Sequence, residues 1–349
     1  MNKPIFTGKW GKCHIQGIAV DKKNGYIYYS FTTKLIKAKM DGEIIGSIDG
    51  FTGHLGCIAF NEQDGCVYGS LEYKNDIIGR QIREKLGSDI QVEDAFYVAR
   101  FDVHRIDKLG MSATDTDIVK CIYLDEVVKD YKDFGKNKQG EVVAHKHGCS
   151  GIDGLTFAPI SGTQGGKRYL YVAYGIYWDT NRDDNDYQVL LCYDIDGWDK
   201  YAETLNQKNM HKNGPSSPLH KYFVYTGNTT YGVQNLEYDT YKNAMLMAVY
   251  KGGKAEFPNY SLFAVDMSKP SQITELKGKE EKGETLSLSP LGLNQGEIYG
   301  WNFPYGSTGL FSFGNGEWLI SHNRTEDGEE CADIFKYIWN DKTAFELKE

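Results

Sequence analysis

One short phrase recurs five times along this chain, and it constrains the fold more than any other feature. It begins with a polar or small residue, runs through a small residue, an aliphatic one and a spacer, and ends apolar then polar. The copies fall at residues 16–21 (Gln-Gly-Ile-Ala-Val-Asp), 56–61, 153–158, 234–239 and 308–313. Each is followed by a turn and a second strand-like segment, at 25–31, 65–73, 168–177, 243–250 and 316–323. Asn24-Gly25, Asp64-Gly65 and Asn315-Gly316 join three of the pairs, and such dipeptides are strong hairpin signals. Third strands are expected at 35–40, 96–103, 188–195, 260–267 and 332–339. Fourth strands are expected at 43–48, 117–124, 221–225 and 284–289.

Five units of four antiparallel strands predict an all-β fold, a single five-bladed β-propeller spanning residues 1–349. The composition agrees: 25 Tyr, 16 Phe and 6 Trp suit half-buried sheet surfaces, and 39 Gly supply turns. The copies start 40, 97, 81 and 74 residues apart. A minimal blade needs roughly 40–50 residues, so insertions are expected near 74–95, 125–147 and 196–220. The 97-residue interval leaves six blades as the alternative, although it holds no further copy of the phrase. Ring closure has two candidates, an N-terminal strand around Phe6–Trp10 and a C-terminal strand around 344–348. Gly17 and Gly154 are expected to allow close packing at the crowded axis.

A net charge of −9 without clustered Lys and Arg argues against nucleic-acid binding. No stretch approaches the roughly 20 apolar residues of a membrane span, and the first residues carry no signal-peptide pattern. Seven Cys without paired spacing read as free thiols, so a soluble, cytoplasmic protein is expected. Two Asn-X-Thr patterns, at 228–230 and 323–325, have no secretory context.

In a propeller, the loops entering each first strand and those leaving each second strand open on one face. That rule places His14, Gln16, His54, Asp153, Gln234, Asn235, Trp301 and Thr308 beside the exits Glu72, Tyr73, Tyr174, Tyr177, Trp178, Arg182, Tyr250, Lys251, His322 and Arg324. Gln16, Asp153, Gln234 and Thr308 form a polar ring at the channel. The long loop 174–186 mixes aromatic planes with hydrogen-bonding groups, as sugar sites do. Its acidic residues could instead hold Ca²⁺, although the spacing is not that of an EF-hand. His14, His54, His145 and His147 raise the option of a His-bound divalent metal. No nucleophile elbow, dinucleotide fingerprint or P-loop is present, and no cofactor is called for.

The repeat resembles five-bladed propellers in general, and two enzyme groups of that fold in particular. The furanosidase-like glycoside hydrolases use carboxylates at the channel mouth, which implies Glu72 and Asp153 here. The plant-type glutaminyl cyclotransferases open their first blade with a Thr-Gln-Gly phrase, which Ile15-Gln16-Gly17 matches in part. Ser30 stands where that group carries its Glu.

The expected function is a carbohydrate-active enzyme, a glycoside hydrolase or a uronate lyase, with a small-molecule or oligosaccharide ligand. Glu72 and Asp153 are the acid, base or nucleophile candidates, since one group must donate a proton while another attacks or activates water. His54 is an alternative base, and Tyr73 or Tyr174 a proton donor. His14, Gln16, Tyr177, Trp178, Arg182, Gln234, Asn235, Tyr250, Lys251, Trp301, His322 and Arg324 are the ligand-binding candidates. A non-catalytic glycan- or peptide-binding propeller is the alternative, and a metal-dependent lactonase or cyclase the third.

Overall fold

The structure, a computed structural model, describes residues 3–163, 165–228 and 230–348. Five sheets, antiparallel apart from one added strand in each of two, stand in a ring with their first strands at the axis: Ile15–Asp21, His54–Asn61, Cys149–Ala158, Val233–Asp239 and Leu310–Ser312. Each carries its copy of the repeated phrase. The second strands, Tyr26–Phe31, Cys66–Tyr73, Tyr169–Ile176, Ala244–Val249 and Glu317–Glu326, pair with them in chain order. Gly25, Gly65 and Gly316 take φ of 71°, 72° and 87°, the left-handed backbone that these turns require.

The blades are glued face to face by apolar side chains. Ile15, Ile27, Tyr29, Leu319 and Ile334 fill the seam between blades five and one. Tyr171, Tyr222, Met245, Met247 and Phe263 fill that between three and four. Leu246, Trp301, Trp318 and Trp339 fill that between four and five. Near the axis the contact is backbone-close. A Cβ on Gly17 would stand 2.9 Å from the Ile58 amide nitrogen, and one on Gly154 2.8 Å from Val233 Cγ1. Hydroxyls then tie neighbours together, Ser30 to the Gly56 carbonyl at 2.7 Å and Ser70 to the Asp153 carbonyl at 2.6 Å, and the Asn235 amide links blade four to the Gln16 carbonyl of blade one at 2.9 Å.

Both candidate closing strands are used. Ile5–Phe6 pairs with Glu329–Asn340 around Ile334, and Ala344–Leu347 pairs with the far half of that same strand around Tyr337–Asn340. Twelve residues are long enough to accept one terminus on each half. Blade four departs from expectation. Its regular sheet has three strands ending at Leu262–Asp266. The segment expected as its fourth strand begins instead as Lys282–Thr285, added in parallel to His220–Tyr225 of blade three, and reaches blade four only through the Val265–Leu288 bridge.

The insertions are structured. Residues 74–95 hold a helix, Ile77–Leu86, capped by Asp76 through the Gly79 amide at 2.8 Å. Residues 125–147 hold the helix Asp125–Lys132 and a hairpin, Phe134–Lys136 with Val142–Ala144. Residues 196–220 add Glu203–Thr204 to the edge of blade two. Among the described residues no helix is long and apolar enough to cross a membrane. All seven Cys are free, six of them buried. Thr229 of the first Asn-X-Thr pattern lies outside the described residues. Asn228 is buried, its amide held by the Tyr250 and Tyr260 carbonyls.

Candidate functional site

Four of the five axial strands carry a register irregularity near their start. The pairing slips between Ile15 and Gly17, Leu55 and Ile58, Ile152 and Leu155, and Val233 and Asn235. The residues inside those slips include Gln16, Gly56, Asp153 and Gln234. A bulge frees a residue from the ladder and re-aims its side chain. Here it supplies the polar ring around one mouth of the channel.

A 180 Å³ pocket opens at that mouth, lined by His14, Gln16, His54, Glu72, Lys74, Ile78, Ser150, Ile152, Asp153, Gly175, Tyr231, Gln234 and Tyr250. Its chemistry centres on blades two and three. His54 and Glu72 face each other across the first two strands of blade two. Glu72 Oε1 lies 2.7 Å from Lys74 Nζ and 3.6 Å from His54 Nδ1, and Oε2 accepts the Ile152 amide at 3.0 Å. Lys74 Nζ also donates to the Ser150 carbonyl at 2.7 Å and lies 3.5 Å from Asp76 Oδ2. A buried, fully partnered ion pair thus staples blade two to the entry of blade three.

Asp153 has no such partners. Its Oδ1 is buried without a hydrogen bond, as is His54 Nδ1. Burial pushes the Asp153 carboxyl up to about 7, helped by the Glu72 charge and opposed by His54 and Lys74. Burial would raise Glu72 as well, but the Lys74 ammonium and His54 hold it below its ordinary value. For His54, burial acts downward and is outweighed by the Asp153 and Glu72 carboxylates, so its imidazole binds a proton more tightly than usual. His14 is pushed down by burial and by the His54 charge. Two carboxyl groups in one pocket are therefore driven apart, one ionised and one holding a proton near neutral pH.

The rim is polar and aromatic. Gln16 Nε2 lies 3.1 Å from His14 Nε2 and 3.0 Å from Thr32 Oγ1, and Gln234 donates to the Tyr231 carbonyl at 3.0 Å. Tyr231 and Tyr250 meet edge to face at 5.7 Å.

No protein-family model matches the chain, and no curated protein matches its sequence. Among solved structures it is similar to a GH43 β-1,3-galactosidase with galactodeoxynojirimycin, at 10% identity over 99% of this chain and 98% of that one, TM-score 0.47. It is similar also to a GH43_1 enzyme from Xanthomonas citri complexed with xylose (9%, 99% and 94%, TM-score 0.42). A third is the PQQ domain of a pyranose dehydrogenase from Coprinopsis cinerea (12%, 91% and 81%, TM-score 0.36). The five-bladed architecture rests on the chain's own strand pairing.

The structure gathers His14, Gln16, His54, Glu72, Asp153, Gln234 and Tyr250 in one pocket and sends the other candidates elsewhere. Tyr73 follows Glu72 on the strand and so points to the opposite face, where its hydroxyl meets Gln207 Oε1 at 2.9 Å. Tyr174 alternates likewise with Gly175, and its buried hydroxyl donates to Asp130 at 2.8 Å. Neither tyrosine is placed to protonate a ligand in the pocket. Tyr177 stands behind Lys74, bonded to Asp76 at 2.8 Å. Trp178 is 60% exposed and Lys251 is exposed. Arg182 is buried against Asp184 and the Ala144 carbonyl, while the Asn235 amide donates to the Gln16 and Ser307 carbonyls. Trp301 is core, bonded to the Asp341 carbonyl. His322 stacks on Tyr305 at 3.5 Å, and Arg324 pairs with Asp333 on the outer hairpin.

In the loop 174–186, Asp184 pairs with Arg182 and Asp186 with Lys254. His145 and His147 do not join His14 and His54. Among the described residues no three His, Cys, Asp or Glu side chains converge as metal ligands. Lys74, Ser150, Ile152 and Tyr231 also line the pocket, although none was singled out as a catalytic or ligand-binding candidate. Lys74 had a signal, since it shares the period-two face of Glu72.

Proposed function

We propose that this chain is a carbohydrate-active enzyme that cleaves a glycosidic bond at the channel mouth, with Asp153 as proton donor and His54 as base. The observation that carries the reading is the divergence of the two carboxyl groups. Environments that separate paired titrating groups mark acid and base assignments, and a purely binding mouth has no need of a carboxyl poised near 7. The pocket's 180 Å³ lies below the roughly 300–1,000 Å³ of sites for drug-sized ligands, so it takes one sugar ring. Gln16, Gln234 and His14 offer hydroxyl partners, and Tyr231 and Tyr250 offer ring faces.

Asp153 protonates the departing glycosidic oxygen. When the proton that Asp153 and His54 share sits on Asp153, His54 takes a proton from the attacking water, or from the sugar carbon next to the carboxylate if a uronate is eliminated. Glu72 acts as a positioning residue, because Lys74 and the Ile152 amide already occupy its oxygens. That arrangement favours direct displacement by water, with inversion, over a covalent intermediate on Glu72.

The test is a panel of aryl glycosides and uronate oligosaccharides, read by released phenol and by ultraviolet absorbance of an unsaturated product. At least one substrate should be turned over and should lose about 10²-fold or more of its rate in Asp153→Asn. Saturable sugar binding without product from any substrate would move the protein to the binding class. Full activity in Asp153→Asn would remove the acid assignment.

A further inference from the structure

A second concave site lies away from the channel. The hairpin Phe134–Lys136 with Val142–Ala144 folds against blade three, and with the turn 278–281 and Asp183–Asp184 it walls a cavity of 760 Å³. Four lysines face it. Three are neutralised: Lys136 by Glu280, Lys138 by Glu256 and Asp183, and Lys146 by Glu281. Lys279 differs. Its Nζ lies 2.7 Å from His147 Nδ1, with the Phe223 and Tyr187 rings 4.7 and 5.4 Å from it. On the far side of the imidazole, His147 Nε2 lies 3.9 Å from Asp130 Oδ2, an oxygen that also meets Lys221 and the Tyr174 hydroxyl.

Amine and imidazole are thus hydrogen-bonded, with a carboxylate 3.9 Å beyond the imidazole, the order in which a nucleophile is activated by a base that a third group orients. The backbone bends unusually to achieve this. His145 and His147, neither of them glycine, take φ of 68° and 59°, a strained conformation that clusters at functional sites.

The protonation states suit the geometry. Burial pushes the Lys279 amine down to about 7, aided by the Lys221 charge and opposed by Glu281, Asp184 and Asp130. His147 is kept neutral by burial and by Lys279, Lys221, Lys146 and Arg182. A neutral imidazole can accept a hydrogen bond from the amine while the amine keeps its lone pair.

We propose that Lys279 is a nucleophilic amine that captures a small aldehyde or ketone in this cavity as a reversible imine, with His147 as its proton carrier. Nζ attacks the carbonyl carbon, forming the C–N bond as the π pair moves to oxygen. His147 Nδ1 takes one proton from nitrogen and returns it to that oxygen. The second N–H proton leaves with the hydroxyl as water when the C=N bond forms. Carbonyl and amine give imine and water, and no oxidant or reductant takes part. The inference is independent of the carbohydrate reading at the channel.

The experiment treats the full chain at pH 7 with limiting glyceraldehyde and cyanoborohydride, which fixes imines as stable amines, and maps the modified lysines by peptide mass spectrometry. An amine with a value near 7 is about half free base at that pH, on the order of 10³-fold more than an ordinary lysine. Lys279 should be modified at least about tenfold faster than the exposed Lys22 and Lys108. Its labelling should reach half-maximum near pH 7. Lys279→Arg should abolish the fast adduct without moving it elsewhere. His147→Gln, checked for folding by its unfolding midpoint in urea, should slow Lys279 and leave Lys22 unchanged. Adducts spread evenly over surface lysines, or a Lys279 rate that ignores His147, would overturn the proposal.

Discussion

Replacing Asp153 by Asn removes one titrating proton with almost no change in side-chain size, and the consequence for stability has a definite sign. The native carboxyl sits near 7 against an ordinary 3.8, so the folded chain holds this proton over a window where the unfolded chain has lost it. Stability from this group is complete below the ordinary value and falls as pH rises through 7. The full separation corresponds to about 4 kcal/mol, and the part between pH 5 and 8 to about 3 kcal/mol. His54, also raised, acts in the same direction from 6.5 upward. Glu72, lowered, acts oppositely and only below about its ordinary 4.5. Asp186, Glu237 and Lys279 are shifted too, but they titrate in both proteins and cancel in the difference. Urea unfolding of wild type and Asp153→Asn at pH 5, 6, 7 and 8 should show the wild type losing about 2–3 kcal/mol relative to the variant across the series. Parallel stability curves would refute the argument that this carboxyl is neutral in the fold.

Turnover on the true substrate should follow a bell around neutral pH, since Asp153 and His54 must share one proton between them. Its descending limb in kcat/KM should lie near 7. Lys74→Met leaves Glu72 buried without its cation and should cost about 3–5 kcal/mol in urea unfolding, most of it restored by adding Glu72→Gln. A double variant as unstable as the single one would show that Lys74 acts through something other than Glu72. Gly56→Ala puts a methyl group into Asp153 Oδ1 and Ser70 Oγ. It should cost about 1–3 kcal/mol and lower turnover, by moving the acid rather than removing it.

The repeated phrase was legible because its apolar positions must fill the same seam in every blade. Ile18, Leu155 and Leu236 therefore recur at one register. The axial polar ring was legible too, as Gln16, Asp153 and Gln234 break an otherwise apolar pattern. What lay beyond reach was the parity of individual strands. Glu72 and Tyr73 were read as one cluster, yet alternation sends the tyrosine to Gln207. Trp301 and Arg182 stand in loops of the correct face, but tertiary partners turn them inward. Blade four misled for another reason. Residues 284–289 have strand character, and nothing local says whether they pair with blade three or blade four. The Lys279–His147 contact joins residues 132 positions apart through an inserted hairpin, a placement that no local pattern encodes.

The central claim is that one of two neighbouring carboxyl groups is protonated at neutral pH in the channel-mouth pocket. Carbon-13 NMR of the chain labelled at Asp side-chain carboxyls, titrated from pH 4 to 9 beside Asp153→Asn, measures this directly. The account predicts a resonance that titrates near 7 in the wild type and is missing from the variant. A wild-type Asp153 signal already fully ionised by pH 5 would contradict it.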